Sequence, residues 1–290
     1  MSGEVRREYA ARIAAITGIQ SPRLLEAFAA IPREKFLGAG PWQVLAPPSA
    51  GQMRPPIREV SDPAELSSDV AVILDPSRNL TNGNPGTLAP WLDALRVCEG
   101  DSVFHLGCGT GYYSAILAEM VGPNGRVTAV EADRGLAAMA CDCLSAYPQV
   151  EVMEGDGGDV EPGPRDAILV NAGVTHPAAV WLDSLKPDGN LVVPLTCEFG
   201  LPHIGKGFAL HVDRTRSGYA ARFLPVPVMI YSCIGMRDEE HSRLLGTALL
   251  SGTFATVRSL RRDAHIAGPE CRLHAAEFCL SASPAGSGSV

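Results

Sequence analysis

The apolar run Ser102-Val103-Phe104-His105-Leu106 passes directly into Gly107-Cys108-Gly109-Thr110-Gly111, and an amphipathic stretch begins at Tyr112. A strand that ends in closely spaced glycines and hands over to a helix lets the main chain turn sharply, so that a ligand can lie against bare backbone beside a helix N-terminus. Glu131 closes the next β-branched run about twenty residues on, where a carboxylate can accept from both hydroxyls of a ribose. Gly155-Asp156-Gly157-Gly158 follows the run after that, and an acid there can accept from the exocyclic amine of an adenine. The set Gly107, Gly109, Gly111, Tyr112, Glu131, Asp156 and Gly157 therefore describes a pocket for an adenosine-bearing ligand. His105 stands beside it, placed either to meet that ligand or to be satisfied by backbone carbonyls at the strand end.

The ribose acid does not separate S-adenosylmethionine from NAD, because both present a ribose at that point. The glycines discriminate better. NAD sites favour G-x-G-x-x-G, whereas Gly111 here follows Gly109 after a single residue and Tyr112-Tyr113 come next. S-adenosylmethionine is the expected cofactor, and in-line transfer of its methyl group to an oxygen or nitrogen the expected chemistry, with alignment supplying most of the rate. Strand carboxyl ends in open α/β sheets face the ligand crevice. Asn171, Thr175 and His176, which follow the run 167–170, are thus placed to meet the methyl acceptor, and His176 can serve as a general base.

Elements that would position these residues can be read from periodicity. Strands are expected at 102–106, 126–131, 150–154, 167–171 and 190–195, with helices near 86–97, 112–121, 134–147 and 178–186. This alternation predicts an α/β fold with a doubly wound Rossmann-like sheet, and the methyl donor expected at its glycine turn would make it a methyltransferase sheet. Two N-terminal helices precede it, the second capped at Ser21-Pro22. The proline- and glycine-rich stretch 38–67 reads as a long loop. A hairpin at 207–213 and 219–231, a helix over 238–251 and strands at 253–260 and 272–281 form a β-rich C-terminal extension, with a disordered tail at 283–290. The division expected is an N-terminal helical and loop region at 1–75, a cofactor-binding domain at 76–231 and the extension at 232–290.

Composition narrows the partners. Lys and Arg total 24 against 32 Asp and Glu, so a net charge of −8 argues against nucleic acid bound through its phosphates. No apolar run reaches the roughly 18 residues of a membrane span, and the N-terminus lacks a signal-peptide core, which makes the cytoplasm the expected compartment. Eight cysteines show no C-x-x-C pair and read as reduced thiols. His265, Cys271, His274 and Cys279 are residue types that hold zinc, but their spacing matches no common site; they read as ordinary strand residues and no metal is assigned.

Residues 10–37 and about 70–215 resemble the protein-L-isoaspartate O-methyltransferase family. The matching pieces are Ile16-Thr17-Gly18-Ile19, Ile31-Pro32-Arg33-Glu34-Lys35-Phe36, the glycine turn, Gly155-Asp156-Gly157, Asp166-Ala167-Ile168-Leu169-Val170 and Leu185-Lys186-Pro187-Asp188-Gly189. The resemblance implies the same fold, S-adenosylmethionine as donor, and an acceptor carboxylate on a peptide or small metabolite. It also implies a role for Thr81, because the family's Thr-x-Ser-x-Pro segment falls on Thr81-Asn82-Gly83-Asn84-Pro85. The serine position is Gly83, which has no hydroxyl to orient a carboxylate. His105 replaces the acid usual at the end of the first strand, and Asn171 to His176 replace small apolar residues. Rival readings are a non-catalytic S-adenosylmethionine-binding protein, a small-molecule N-methyltransferase and a nicotinamide oxidoreductase. A nucleic-acid amino-methyltransferase is disfavoured, since Asn171-Ala172-Gly173 lacks the Pro-Pro-aromatic element such enzymes carry there.

Overall fold

The computed structural model describes residues 2–45, 55–198 and 200–286. Helix α1 (Gly3–Thr17) starts where the Ser2 hydroxyl accepts from the Val5 N–H at 3.4 Å, and α2 (Pro22–Ala30) where Ser21 accepts from Leu24 at 3.3 Å. Each side chain satisfies an N–H that the helix leaves orphaned, and Pro22 gives up only an N–H that had no partner to lose.

The stretch expected to be a loop is partly a sheet. Strands β1 (Trp42–Leu45) and β2 (Ile57–Val60) pair antiparallel, β3 (Ala71–Asp75) joins the other edge of β1, and β4 (Leu80–Thr81) follows β3 in the order β2-β1-β3-β4. Leu37, Val44, Val60, Leu66, Val70 and Val72 form its core. These strands are too short for a period of two to register in sequence. Among the described residues, Pro41, Pro55 and Pro56 sit outside the strands, and Pro63 opens a 3-10 turn at Pro63–Leu66.

The remaining elements follow in chain order: α3 (Pro85–Ala94), β5 (Ser102–Leu106), α4 (Tyr112–Val121), β6 (Arg126–Glu131), α5 (Arg134–Leu144), β7 (Val150–Glu154), β8 (Arg165–Val170), α6 (Ala179–Ser184), β9 (Leu185–Glu198), β10 (Ile204–Thr215), β11 (Gly218–Tyr231), α7 (Glu239–Leu250), β12 (Ser259–Arg261), β13 (Cys271–His274) and β14 (Cys279–Ser281). The expected strands at 102–106, 126–131 and 150–154 and the helix at 112–121 coincide with observed elements. Strand β9 starts earlier than its apolar stretch, where Leu185 pairs with Arg165 of β8, and runs longer because β10 pairs along it as far as Glu198. The strand expected at 253–260 is a 3-10 turn at Thr253–Thr256 followed by short β12, and 272–281 is a hairpin of two strands. Of the expected tail, 287–290 lies outside the described residues.

The chain forms two compact units, one of residues 1–101 and 108–154, the other of 102–107 and 155–290. In the first, β6 and β7 are parallel neighbours, α5 packs on both, α4 packs on β6, and α2 packs on α4. Nine of the ten α4 residues are buried, which explains why this helix is apolar all round. In the second, β5, β8 and β9 run parallel. The antiparallel strands β10, β11, β12, β14 and β13 extend that sheet in this order. Helix α6 packs on β9, and α7 on β9 and β13. No helix among the described residues is long and apolar enough to cross a membrane.

Candidate active site

In the first unit the glycine turn and Glu131 are joined directly. One Glu131 oxygen accepts the Gly109 N–H at 2.8 Å and the other accepts the Asp133 N–H at 3.0 Å. Burial raises the Glu131 pKa while these hydrogen bonds pull it down. An ionised carboxylate offers about four lone pairs, so accepting capacity remains for a ligand hydroxyl. Gly109 has φ +57, and no heavy atom lies within 4 Å of where its Cβ would stand; the main chain there is bare. Gly111 differs. A Cβ on it would meet Leu144 at 2.7 Å, so its lack of a side chain serves the packing of α5. The loop after Glu131 is clamped by Arg78, which donates to Asp133 and to Asp75, each at 2.6 Å, while Asp133 caps α5 through the Leu136 N–H. Two separated acids and one arginine gave no sequence signal for this clamp.

Tyr112 is fully buried. Its ring packs on Phe36 and Tyr113, its hydroxyl lies 3.3 Å from that of Tyr9, and the Arg33 guanidinium stands 5.6 Å from its centroid. Burial raises the pKa of all three tyrosines, which keeps them neutral.

Arg33 also orders the segment that carries Thr81. Itself buried, it donates to the carbonyls of Leu66, Ser68, Val70 and Gly83 and to the Asn82 side-chain oxygen, at 2.8–3.4 Å. Asn84 donates to Asp69, which also accepts the Gly86 N–H and so caps α3 from outside the helix. Gly83 has φ +73, a conformation that strains any side-chain-bearing residue, and a Cβ there would stand 3.2 Å from Leu88. The Thr81 hydroxyl accepts the Gly83 N–H at 3.3 Å and keeps its own proton to donate.

In the second unit, β5 ends with Gly107 at φ +73, where a Cβ would meet the Asn171 carbonyl at 3.0 Å; the Asn171 N–H donates to Leu106. His105 is fully buried, and burial pushes its pKa down to about 3, so the ring is neutral. Gly157 packs its bare backbone against Leu106 and Cys233, Asp156 accepts the Gly158 N–H at 3.2 Å, and Gly235 lies where a Cβ would touch the Asp156 carboxylate. Cys233 and Gly235 belong to the link between β11 and α7, and that link is stitched to the end of β8. The Gly173 N–H donates to Tyr231, Cys233 to Gly173, Thr175 to Met236 and Asp238 to the Thr175 hydroxyl, and Arg237 holds Thr196 and Gly173. His176 is half-buried and stacks on His241 at 4.4 Å, which in turn meets Glu277 at 3.1 Å. Burial and then the His241 charge lower the His176 pKa.

The model of the protein-L-isoaspartate(D-aspartate) O-methyltransferase family matches residues 67–202. A protein-L-isoaspartate O-methyltransferase from Trichlorobacter lovleyi is 33% identical over 214 residues, covering 72% of this chain and 87% of its own. One from Methanopyrus kandleri is 30% identical over 195 residues, covering 66% and 76%. Among solved structures, one described as a protein-L-isoaspartate O-methyltransferase superposes on 90% of this chain and 73% of its own, with a TM-score of 0.63 at 22% identity. Another, described as a putative enzyme of that name from Plasmodium falciparum in complex with S-adenosyl-L-homocysteine, superposes on 79% and 97%, with a TM-score of 0.52 at 15% identity. The fold is that of the Rossmann-like methyltransferases, with extra C-terminal strands. The chain belongs to the protein-L-isoaspartate O-methyltransferase family, and it is an S-adenosylmethionine-dependent methyltransferase.

Proposed function

We propose that the chain esterifies a peptide carboxylate with the methyl group of S-adenosylmethionine, and that its acceptor site has turned away from standard isoaspartyl peptides. The observation that carries this reading is the loop Thr81-Asn82-Gly83-Asn84. Asn84 donates to Asp69, Asn82 accepts from Arg33 through its oxygen, and Gly83 has no side chain, so the Thr81 hydroxyl and the buried Asn82 amide N–H are the loop's side-chain donors for a carboxylate. The relatives' name supports a carboxylate acceptor.

The donor supplies an electrophilic methyl on a sulfonium. On this reading Glu131 holds the ribose with its remaining accepting capacity, and the bare main chain at Gly107 to Gly111 takes the donor's amino-acid end. Asp156 accepts from the adenine amine, with Gly157 keeping that turn close to β5. His105 and Tyr112 shape the site as neutral buried groups. Thr81 donates to the attacking carboxylate oxygen, and Asn171 offers a further polar group to the acceptor. That oxygen forms a bond to the methyl carbon as the carbon–sulfur bond breaks, and the electron pair leaves on sulfur. An ionised carboxylate carries no proton to remove, so the neutral His176 acts as a polar wall of the acceptor space and no base is needed.

The test is transfer of labelled methyl to an isoaspartyl peptide and to its aspartyl counterpart, by the protein and by Gly83→Ser and Gly83→Ala. A serine at φ +73 carries strain of order 1–2 kcal/mol, which the alanine variant reports without a hydroxyl. Base-labile methyl esters are expected, with the isoaspartyl peptide a poor acceptor that Gly83→Ser improves relative to Gly83→Ala. Efficient and exclusive esterification of the isoaspartyl peptide by the unmodified protein overturns the proposed shift of acceptor. A base-stable methyl product would point to nitrogen as the acceptor atom.

A further inference from the structure

His265, Cys271, His274 and Cys279 each offer one ligand atom, and the four atoms lie within 4.8 Å of one another. The sequence spacing concealed this convergence, and the β13–β14 hairpin explains why. Cys271 and His274 are three residues apart, and in a regular strand that puts them on opposite faces. The pairing of β13 with β14 shifts register between Cys271 and Leu273, and a bulge of one residue restores both side chains to one face. His274 sits directly across from Cys279, and Cys271 across from Ser281, two residues along from Cys279 on the same face. Three potential ligands are thus aligned by one irregularity in a two-stranded ladder, and His265 completes the set from the loop that precedes β13.

The surroundings carry the marks of a metal site. The His265 Nδ1–H donates to the Asp263 carbonyl at 2.8 Å, which fixes the tautomer and leaves the Nε2 lone pair facing Cys271 Sγ at 3.6 Å. A backbone carbonyl on the far ring nitrogen is the usual outer support of a ligating histidine. Zinc bonds of about 2.3 Å to sulfur and about 2.0–2.1 Å to nitrogen, arranged tetrahedrally, imply a sulfur-to-nitrogen edge of roughly 3.6 Å. Cys271 Sγ also accepts the Gly268 N–H at 3.4 Å, which fixes the position of the sulfur. The His274 Nδ1 is buried and meets no hydrogen-bond partner among the described residues, an expense that a metal bond would remove. Arg261, across from Cys279, already has its charge answered by Asp263 at 2.6 Å and Glu270 at 4.0 Å.

We propose that His265, Cys271, His274 and Cys279 form a structural zinc site that fastens the C-terminal hairpin to the loop before it. Four protein ligands close the tetrahedron and leave no position for water, which makes the site structural and not catalytic. Binding takes one Zn(II) and releases one proton from each cysteine thiol, so two thiolates and two neutral imidazoles give a site of zero net charge. The metal would tie the β13–β14 hairpin, whose outer strand β13 is only four residues long, to the loop that precedes it.

The full chain, reduced and stripped of metal by chelation, is titrated with Co(II). The expected result is the visible absorption of tetrahedral cobalt with a thiolate charge-transfer band, saturating at a single ion per chain, and displacement of the cobalt by Zn(II). Cys271→Ser and Cys279→Ser should each lose most of the charge-transfer band, whereas Cys98→Ser, at an exposed cysteine, should keep it. Absence of the band in the unsubstituted reduced protein overturns the site whether or not the variants fold. So does a band that survives in the Cys271→Ser/Cys279→Ser double variant, or a Cys271–Cys279 disulfide in the isolated chain whose reduced form takes up no cobalt.

Discussion

Glu131 accepts two backbone N–H groups and still has lone pairs to offer, so its removal should be felt both by a bound ribose and by the glycine turn it steadies. Glu131→Ala is expected to weaken S-adenosylmethionine binding by about 1.5–3 kcal/mol, or roughly 10- to 150-fold, in calorimetric titration. Unchanged affinity in a folded variant would remove Glu131 from the donor site. His105 makes a different kind of prediction. Its pKa is about 3 in the fold and about 6.5 in an unfolded chain. Above pH 6.5 neither state is protonated and the group adds no pH dependence. As pH falls below that value the unfolded chain takes up a proton that the folded chain refuses. Stability should therefore fall on acidification by roughly 1.4 kcal/mol per unit from this group, down to about pH 3. Denaturant melts of the protein and of His105→Gln should converge in slope above pH 7 and diverge below 6, the variant having the flatter profile. Parallel profiles would refute the assignment. That Glu131 follows a glycine turn was legible because strand, turn and acid occur in sequence order; the neutrality of His105 was not, since it depends on atoms brought over it from elsewhere.

The family-specific segment around Arg33 explains itself once the loop at Thr81 is in view. One buried guanidinium gathers carbonyls from two stretches of chain, Leu66 to Val70 and Gly83, and pins the side chain of Asn82. Arg33→Met keeps much of the bulk but leaves those acceptors without their donor. Each hydrogen bond to a charged group contributes about 1.5–3 kcal/mol, so the variant should lose about 3 kcal/mol or more in chemical denaturation and should lose methyl transfer even where it remains folded. A loss under 1 kcal/mol would show that the loop is held by other means. Sequence periodicity found the helices and the parallel strands and missed β1 to β4, three of which run only two to four residues and cannot display a period. It also left the role of the C-terminal extension open. The link from Ser232 to Asp238 turns out to bond to the end of β8 and to pack against Gly157, which makes the extension part of the second unit's candidate ligand wall.

Donor binding is also a property of the folded chain as a whole, since a ligand that binds only the folded state raises its stability. At a concentration one hundred times its Kd, S-adenosylmethionine should add about 2.7 kcal/mol, read as an upward shift in melting temperature. NAD at the same concentration should produce none, and the opposite pattern would contradict the family assignment. Order along the chain was enough to reveal the α/β alternation, the glycine turn with its ribose acid, and the family, because each rests on local periodicity or on residues that act from fixed places in a strand–turn–helix unit. Other properties arise between residues far apart in sequence. Arg33 reaches acceptors 33 to 50 residues away. The Asp156 turn is seated by Gly235, and a single bulge turns an unpromising spacing of His265, Cys271, His274 and Cys279 into four convergent ligands. Spacing along a chain predicts direction only while the backbone keeps its regular period, and these contacts depend on where that period is broken and on which segments pack together.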